Sequence, residues 1–130
     1  MAIHNPAQAY RSNQVTTATQ GDLTFMLYNG AIKFIKQAKQ EIEANNLQYA
    51  HNHIVRVQDI LKELILTLNP KVEISEQFLT MYDYMMNRMI EANVNKDKAI
   101  LDEVESFFIE FRDVWKEVMM ITKQQGQKQA

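Results

Sequence analysis

The protein has 130 residues, of which 46% are hydrophobic and 23% are charged, and this length and balance predict one globular domain with its own core. Its 14 basic and 16 acidic residues leave a net charge of −2, so no nucleic-acid-binding surface is expected, and the lack of cysteine excludes disulfides and thiol catalysis and fits the cytoplasm. No apolar run reaches the roughly 18–20 residues that span a bilayer, no signal peptide is predicted, and the scarcity of Gly and Pro favours long helices.

Residues 1–20 are predicted to form an arm outside the folded domain, either flexible or briefly helical. They are rich in Asn, Gln, Thr and Ala, and their larger apolar side chains are Ile3, Tyr10 and Val15. Such a composition buries too little apolar surface to fold alone. Thr19, followed three residues later by Asp22, resembles a capping box and predicts the start of the first helix.

The first helix, predicted over Asp22 to Ile42, carries two apolar stripes. The core-facing stripe repeats at three- and four-residue spacing and consists of Leu23, Leu27, Ala31, Phe34, Ile35, Ala38 and Ile42. Phe25, Tyr28 and Ile32 form a second stripe, roughly 100–160° around the axis from Leu27. Because burying one such side chain yields roughly 1.5–3 kcal/mol, we expect another helix, a second copy or a partner to cover this stripe.

Three further amphipathic helices are predicted downstream. The second runs from about Leu47 to Leu68 and stops at Asn69-Pro70; the third is capped by Ser75 and ends before a short connection at residues 93–95; the fourth covers roughly residues 96–122. Their predicted core residues are Ala50, Ile54, Val57, Leu61, Leu64 and Leu68, then Phe78, Leu79, Tyr82, Met85, Met86, Met89 and Ile90, then Leu101, Val104, Phe108, Phe111, Trp115 and Met119.

Four helices of similar length with short links predict an all-α fold, an antiparallel up-down-up-down four-helix bundle. The predicted organisation is therefore an arm at residues 1–20, the bundle at 21–122 and a polar, flexible tail at 123–130. Gly30 lies in the middle of the first helix, where it costs roughly 1 kcal/mol relative to Ala, so we expect a backbone or a large ring such as that of Trp115 to approach it.

Other apolar residues lie off the core stripes. Phe107, Val114 and Ile121 recur every seven residues beside the core stripe of the fourth helix, and Val55 and Leu66 lie outside the stripe of the second. Methionines are concentrated in the first and third helices, where they either fill the core or belong to a surface that accepts varied apolar partners.

The sequence offers little support for catalysis or cofactor binding. It lacks the Glu-x-x-His pairs of di-iron bundles, and His51 and His53 are two residues apart, so on a helix they cannot share a metal ion. A histidine phosphotransfer domain using His53 is the alternative function, since Arg56 follows three residues later. However, Val57 stands where a glycine is expected, and a partly buried histidine with a hydrogen-bond partner is the simpler interpretation.

Several short motifs, in their order and spacing, carry a resemblance to one family. They are Tyr10, Val15-Thr16-Thr17-Ala18, Met26-Leu27-Tyr28-Asn29-Gly30-Ala31-Ile32, residues 52–60, Glu63-Leu64, Tyr82-Asp83-Tyr84-Met85, Glu91-Ala92-Asn93 and Trp115. The sequence resembles the flagellin export chaperones of bacterial flagella, called FliS, over nearly its whole length. It departs from the family pattern at Asn29, where Asp is usual, and at Thr19-Gln20, where Ser-Pro is common.

This resemblance implies a cytoplasmic, non-enzymatic chaperone that binds the C-terminal segment of flagellin and delivers it to the flagellar export apparatus. Neither a cofactor nor membrane insertion is implied. We expect the arm residues to shield a groove until the client displaces them, and a homodimer is a further alternative for covering the extra stripes. The candidate partner-binding residues are Ile3, Tyr10, Val15, Phe25, Tyr28, Ile32, Val55, Leu66, Phe107, Val114 and Ile121.

Overall fold

The described part of the chain folds into a bundle of four α-helices. The computed structural model describes the backbone of residues 20–129 and the side chains of residues 21–124. Within that range the helices are α1 (Gln20–Glu43), α2 (Leu47–Thr67), α3 (Ile74–Asn95) and α4 (Lys98–Gln129).

Each helix packs against two others, so the four form a closed ring. α1 packs most extensively against α2 and also against α4, and α3 lies between α2 and α4. Residues further along α1 contact residues earlier in both of its neighbours. Toward α2, Gly30 lies beside Ile60 and Phe34 stacks on His53. Toward α4, the Gly21 carbonyl accepts the Trp115 indole N–H at 2.9 Å and Lys39 pairs with Glu105, so α1 runs opposite to both neighbours. This confirms the predicted antiparallel up-down-up-down bundle.

The start of α3 differs from the prediction that Ser75 caps it. Glu73 occupies the N-cap position and Ser75 is buried in the first helical turn. The Ser75 N–H donates to the Val72 carbonyl at 3.0 Å, and the Lys71 N–H donates to Asn69 Oδ1 at 2.9 Å. The turn after α2 therefore leads directly into the helix, and its own hydrogen bonds replace a serine cap.

The connection between α3 and α4 is also shorter than predicted. Residues 93–95 remain helical, and the chain reverses at Lys96, whose φ of 50° is left-handed. The Asp97 N–H donates to the Ala92 carbonyl at 3.0 Å, which closes the helix, and Asp97 Oδ1 then accepts the Ala99 N–H at 2.9 Å. Two residues thus end one helix and begin the next.

The core follows most of the predicted stripes. Met85 and Met89 are fully buried and fill the bundle interior, whereas Met26 is exposed. Leu79 and Ile90, which we predicted to be core residues, are exposed instead, and Ser75 and Ala92 take buried positions on α3. The hydrophobic core consists of Tyr28, Ala31, Ile32, Ile35, Ala38, Ile54, Val57, Leu61, Leu64, Tyr82, Met85, Met89, Ala92, Ile100, Leu101, Val104 and Phe108.

Two further expectations are corrected. A methyl group added at Gly30 would lie 3.4 Å from Ile60 Cδ1, so the side chain that approaches this glycine comes from α2 and is not Trp115. The helix of α4 continues to Gln129, beyond the predicted boundary at Thr122.

Candidate partner-binding surface

The second stripe of α1 is covered mainly by the bundle itself. Tyr28 and Ile32 are buried, and the Tyr28 ring packs against Phe108 and Phe111 of α4 at centroid distances of 6.2 and 5.9 Å. The prediction that these two side chains form an off-core surface is therefore corrected: both are buried, and α4 covers Tyr28. Phe25, one turn earlier, is half-buried beside the last part of α4.

A pair of buried phenols joins α1 to α3. The Tyr28 and Tyr82 hydroxyls lie 2.7 Å apart and share a hydrogen bond. Burial raises the pKa of both groups, because a phenolate would lose its hydration in this apolar interior. The pair therefore stays neutral and fixes the relative position of two helices that lie diagonally across the bundle.

Ion pairs line the groove between α1 and α4. Glu105 is buried, with Lys39 Nζ 2.6 Å from Oε1 and Lys36 Nζ 3.0 Å from Oε2, and Lys39 also contacts Asp102 at 2.7 Å. Burial alone would raise the pKa of Glu105, but the two lysines outweigh it and hold the pKa below its ordinary value. Charged groups therefore line this groove, and it does not offer an apolar docking surface.

Removing this carboxylate tests the ion-pair cluster. We expect Glu105→Gln to lower the free energy of unfolding near neutral pH by about 1–3 kcal/mol, because hydrogen bonds to charged groups are lost. The pKa of Glu105 is lower in the folded chain than the unfolded value of about 4.3, so its contribution is present above that pH and is lost as the pH falls through the folded pKa.

The measurement is urea denaturation at a series of pH values from about 7 to 3. The difference between wild type and Glu105→Gln should shrink on acidification. Glu110→Gln, at an exposed position of the same helix, is the matched control and should change stability little at any pH. A Glu105→Gln deficit that stays constant down to the acid limit would contradict the ion-pair assignment.

The remaining predicted partner-binding residues that the structure describes lie on α2 and α4. On α2, Leu66 is 82% exposed and Val55 is half-buried. On α4, Phe107 is half-buried, whereas Val114 and Ile121 are 56% and 48% exposed. Ile3, Tyr10, Val15 and Thr19, the last of which was predicted to cap the first helix, lie outside the described residues.

Two apolar depressions flank the start of α3, and we did not predict them. The one toward α2 has a volume of about 410 Å³ and is lined by Ile65, Leu68, Pro70, Ser75, Glu76 and Leu79. The one toward α4, about 200 Å³, is lined by Ile74, Gln77, Phe78, Met81 and Phe111. Exposed apolar residues directly after Pro70, namely Val72 and Ile74, were the sequence signal for this surface.

The histidines are engaged in packing and hydrogen bonding. The half-buried His53 ring stacks on Phe34 with a centroid distance of 6.1 Å, and His51 Nδ1 lies 2.9 Å from the Asn93 side-chain amide. Ring stacking at His53 favours the packing interpretation over phosphotransfer. Among residues 20–129, no three His, Asp or Glu side chains come together in a way that could hold a metal ion.

Comparisons with known proteins show the family of this chain. The family model described as flagellar protein FliS matches residues 3–122. The chain belongs to the FliS family. The flagellar secretion chaperone FliS of Bacillus subtilis (strain 168) is 45% identical over 119 residues, which cover 92% of this chain and 90% of the relative.

More distant FliS proteins align over a similar span. The flagellar secretion chaperone FliS of Escherichia coli (strain K12) is 26% identical over 117 residues, covering 88% of this chain and 86% of its own length. The flagellar secretion chaperone FliSB of Pseudomonas aeruginosa is 27% identical over 104 residues, covering 78% and 82% respectively. Within residues 20–129 of this FliS chain, no helix is both long enough and apolar enough to cross a membrane.

Proposed function

We propose that this chain is a non-enzymatic cytoplasmic chaperone that binds the C-terminal segment of flagellin and delivers it to the flagellar export apparatus. Membership of the FliS family and relatives named as flagellar secretion chaperones support this proposal. The single structural observation that carries it is the uncovered apolar surface around the start of α3. It consists of the two apolar depressions on either side of that helix start, and Leu66 of α2 and Val114 and Ile121 of α4 add further exposed apolar side chains.

The mechanism follows from the shape and chemistry of these surfaces. A disordered client segment can fold on them as an amphipathic helix, with anchors at positions i, i+3, i+4 and i+7 in an apolar groove. Ordering such a segment costs several kcal/mol, so the chaperone has to offer extended apolar surface in return. A client helix held in this way cannot pack against other subunits, and premature polymerisation is prevented by competition.

Calorimetric titration with a peptide of roughly the last forty residues of the flagellin from the same genome tests the proposal. We expect saturable binding with a negative heat-capacity change, because apolar surface is buried. A scrambled peptide of the same composition is the control and should not bind. If the native peptide gives no more heat than the scrambled one, the flagellin assignment is wrong.

The arm at residues 1–20 has a proposed role in the same function, and that role can be tested separately from client binding. We propose that Ile3, Tyr10 and Val15 occupy part of the apolar surface in the free protein and are displaced by the client. Deleting residues 1–17 should then raise the affinity for the peptide or the tendency to aggregate, because the competing segment is gone. Unchanged affinity and unchanged solubility would contradict shielding by the arm while leaving the chaperone function in place.

A further inference from the structure

A heptad seam runs along the side of α4 that faces α3. Its residues alternate three and four positions apart, which is the spacing of the a and d positions of a coiled coil. The seam consists of Val104, Phe107, Phe111, Val114, Val118 and Ile121. Each a position of this seam directly follows a glutamate, so Glu103, Glu110 and Glu117 occupy the flanking g positions.

The first half of this seam is covered by α3. Val104 is fully buried, Phe107 packs edge-on against Tyr84 with centroids 6.2 Å apart, and Phe111 packs against Phe78 at 5.9 Å. In this half, α3 therefore presents aromatic side chains to the apolar positions of the seam.

The flanking glutamate in the covered half is also matched. Arg88 of α3 places Nε 2.7 Å from Glu103 Oε1, and the Tyr84 hydroxyl donates to Glu103 Oε2 at 2.8 Å. The arginine and this hydroxyl hold the pKa of Glu103 below its ordinary value. The covered half thus shows what occupies this seam: a helix with apolar residues toward the a and d positions and a basic residue toward the g position.

The second half of the seam is uncovered in the described chain. Val114, Val118 and Ile121 are 56%, 48% and 48% exposed. The antiparallel register set by the covered half places Val114 beside the first turn of α3 and the other two beyond its first residue, Ile74. The depression of about 200 Å³ between Phe78 and Phe111 lies where the cover ends.

The carboxylates that flank the uncovered half favour a helix with basic residues beside its apolar stripe. Glu110 and Glu117 are exposed and continue the line of carboxylates begun by Glu103. In an antiparallel pair, a second copy of α4 would place its own glutamates opposite Glu110 and Glu117. In a parallel pair it would place Trp115 and Thr122 there, and neither arrangement offers a cation. A separate helix that carries Lys or Arg beside its apolar stripe satisfies both the valines and the carboxylates.

We infer that Val114, Val118 and Ile121 bind an amphipathic client helix that continues the line of α3, with basic residues facing Glu110 and Glu117. The inference rests on the proposed function, since it takes the helix to belong to the exported client. It adds the register, the end of the bundle at which the helix docks and the sign of its flanking charge.

The test is titration of the flagellin C-terminal peptide into seam variants of the full chain. Val118→Asp should weaken binding by at least about tenfold, because a carboxylate would be buried among apolar groups. The pair Glu110→Lys and Glu117→Lys should weaken it by about three- to tenfold at low salt and less at high salt, as exposed ion pairs do. Both sets of variants lie at exposed positions, and far-UV circular dichroism checks that each remains helical.

Two variants serve as matched controls away from the seam. Val94→Asp changes an exposed valine at the opposite end of α3, and Asp59→Lys reverses the charge of one exposed carboxylate on α2. Both should bind within about twofold of wild type. If wild type binds and the seam variants match the controls, the seam assignment is overturned while the chaperone function stands. If wild type does not bind the peptide, both fail. A wild-type dimer that Val118→Asp dissociates in sedimentation would assign the seam to a second copy and overturn the inference.

Discussion

Replacing Leu64 by alanine is expected to destabilise the bundle by about 2–5 kcal/mol, whereas Leu66→Ala should change its stability by less than about 0.5 kcal/mol. Leu64 is fully buried between the helices, so truncation removes apolar contacts and leaves a cavity. Leu66, two residues later on α2, is 82% exposed and loses little on truncation. Urea denaturation monitored by circular dichroism at 222 nm measures both changes.

The same pair of substitutions separates folding from client binding. Leu66→Ala is expected to weaken binding of the flagellin peptide while its denaturation midpoint stays near that of wild type. Leu64→Ala is expected to lower the midpoint strongly. A large loss of stability in Leu66→Ala would show that this face is covered in the folded protein, and it would remove Leu66 from the proposed binding surface.

Tyr82→Phe is expected to destabilise the protein by about 1–3 kcal/mol, because it removes the hydrogen-bond partner of a buried hydroxyl on Tyr28. Tyr28→Phe should cost a similar amount for the same reason. The double variant should cost clearly less than the sum of the two, since replacing both phenols leaves no unpaired hydroxyl. Urea denaturation of the four proteins gives the coupling free energy.

Alkaline titration provides an independent check on this pair. The pKa values of Tyr28 and Tyr82 are raised in the folded state, so their stabilising effect is complete below the unfolded value of about 10 and is lost as the pH rises above it. Tyr28→Phe/Tyr82→Phe should therefore lose less stability than wild type above that pH. Additive single-variant effects, or identical alkaline profiles, would contradict the buried hydrogen bond.

The helices were predicted well because apolar spacing and helix-ending residues act over a few neighbouring positions. Asn69-Pro70 ends α2 within one residue of the expected place, since proline disfavours helix in the residue before it. Two errors lie at the two ends of α3, where backbone hydrogen bonds and a left-handed residue, not a capping side chain, set the helix boundary. Ser75 was predicted as a cap but is buried, because the turn at residues 69–75 supplies the hydrogen bonds. Residues 93–95 were predicted as a connection but are helical, because Lys96 adopts the left-handed conformation that ends α3.

The candidate site was predictable only in part. Leu66, Val114 and Ile121 were selected because they lie off the core stripes, and they are exposed. The same rule also selected Tyr28, which α4 covers, and Ile32, which is buried in the core. Periodicity reports the direction in which a side chain points from its own helix, and it contains no information on whether a neighbouring helix is present on that side.

By itself, the sequence determined four amphipathic helices, their order and their antiparallel packing, because apolar spacing, helix-ending residues and short links are local properties. Only the tertiary structure decided which of the extra apolar residues belong to the core. α4 reaches Tyr28 and buries it, whereas α3 begins at Ile74 and leaves Val114, Val118 and Ile121 of the same heptad seam uncovered. The physical reason is that burial depends on where a neighbouring helix begins and ends, and that is set by the packing of the whole bundle.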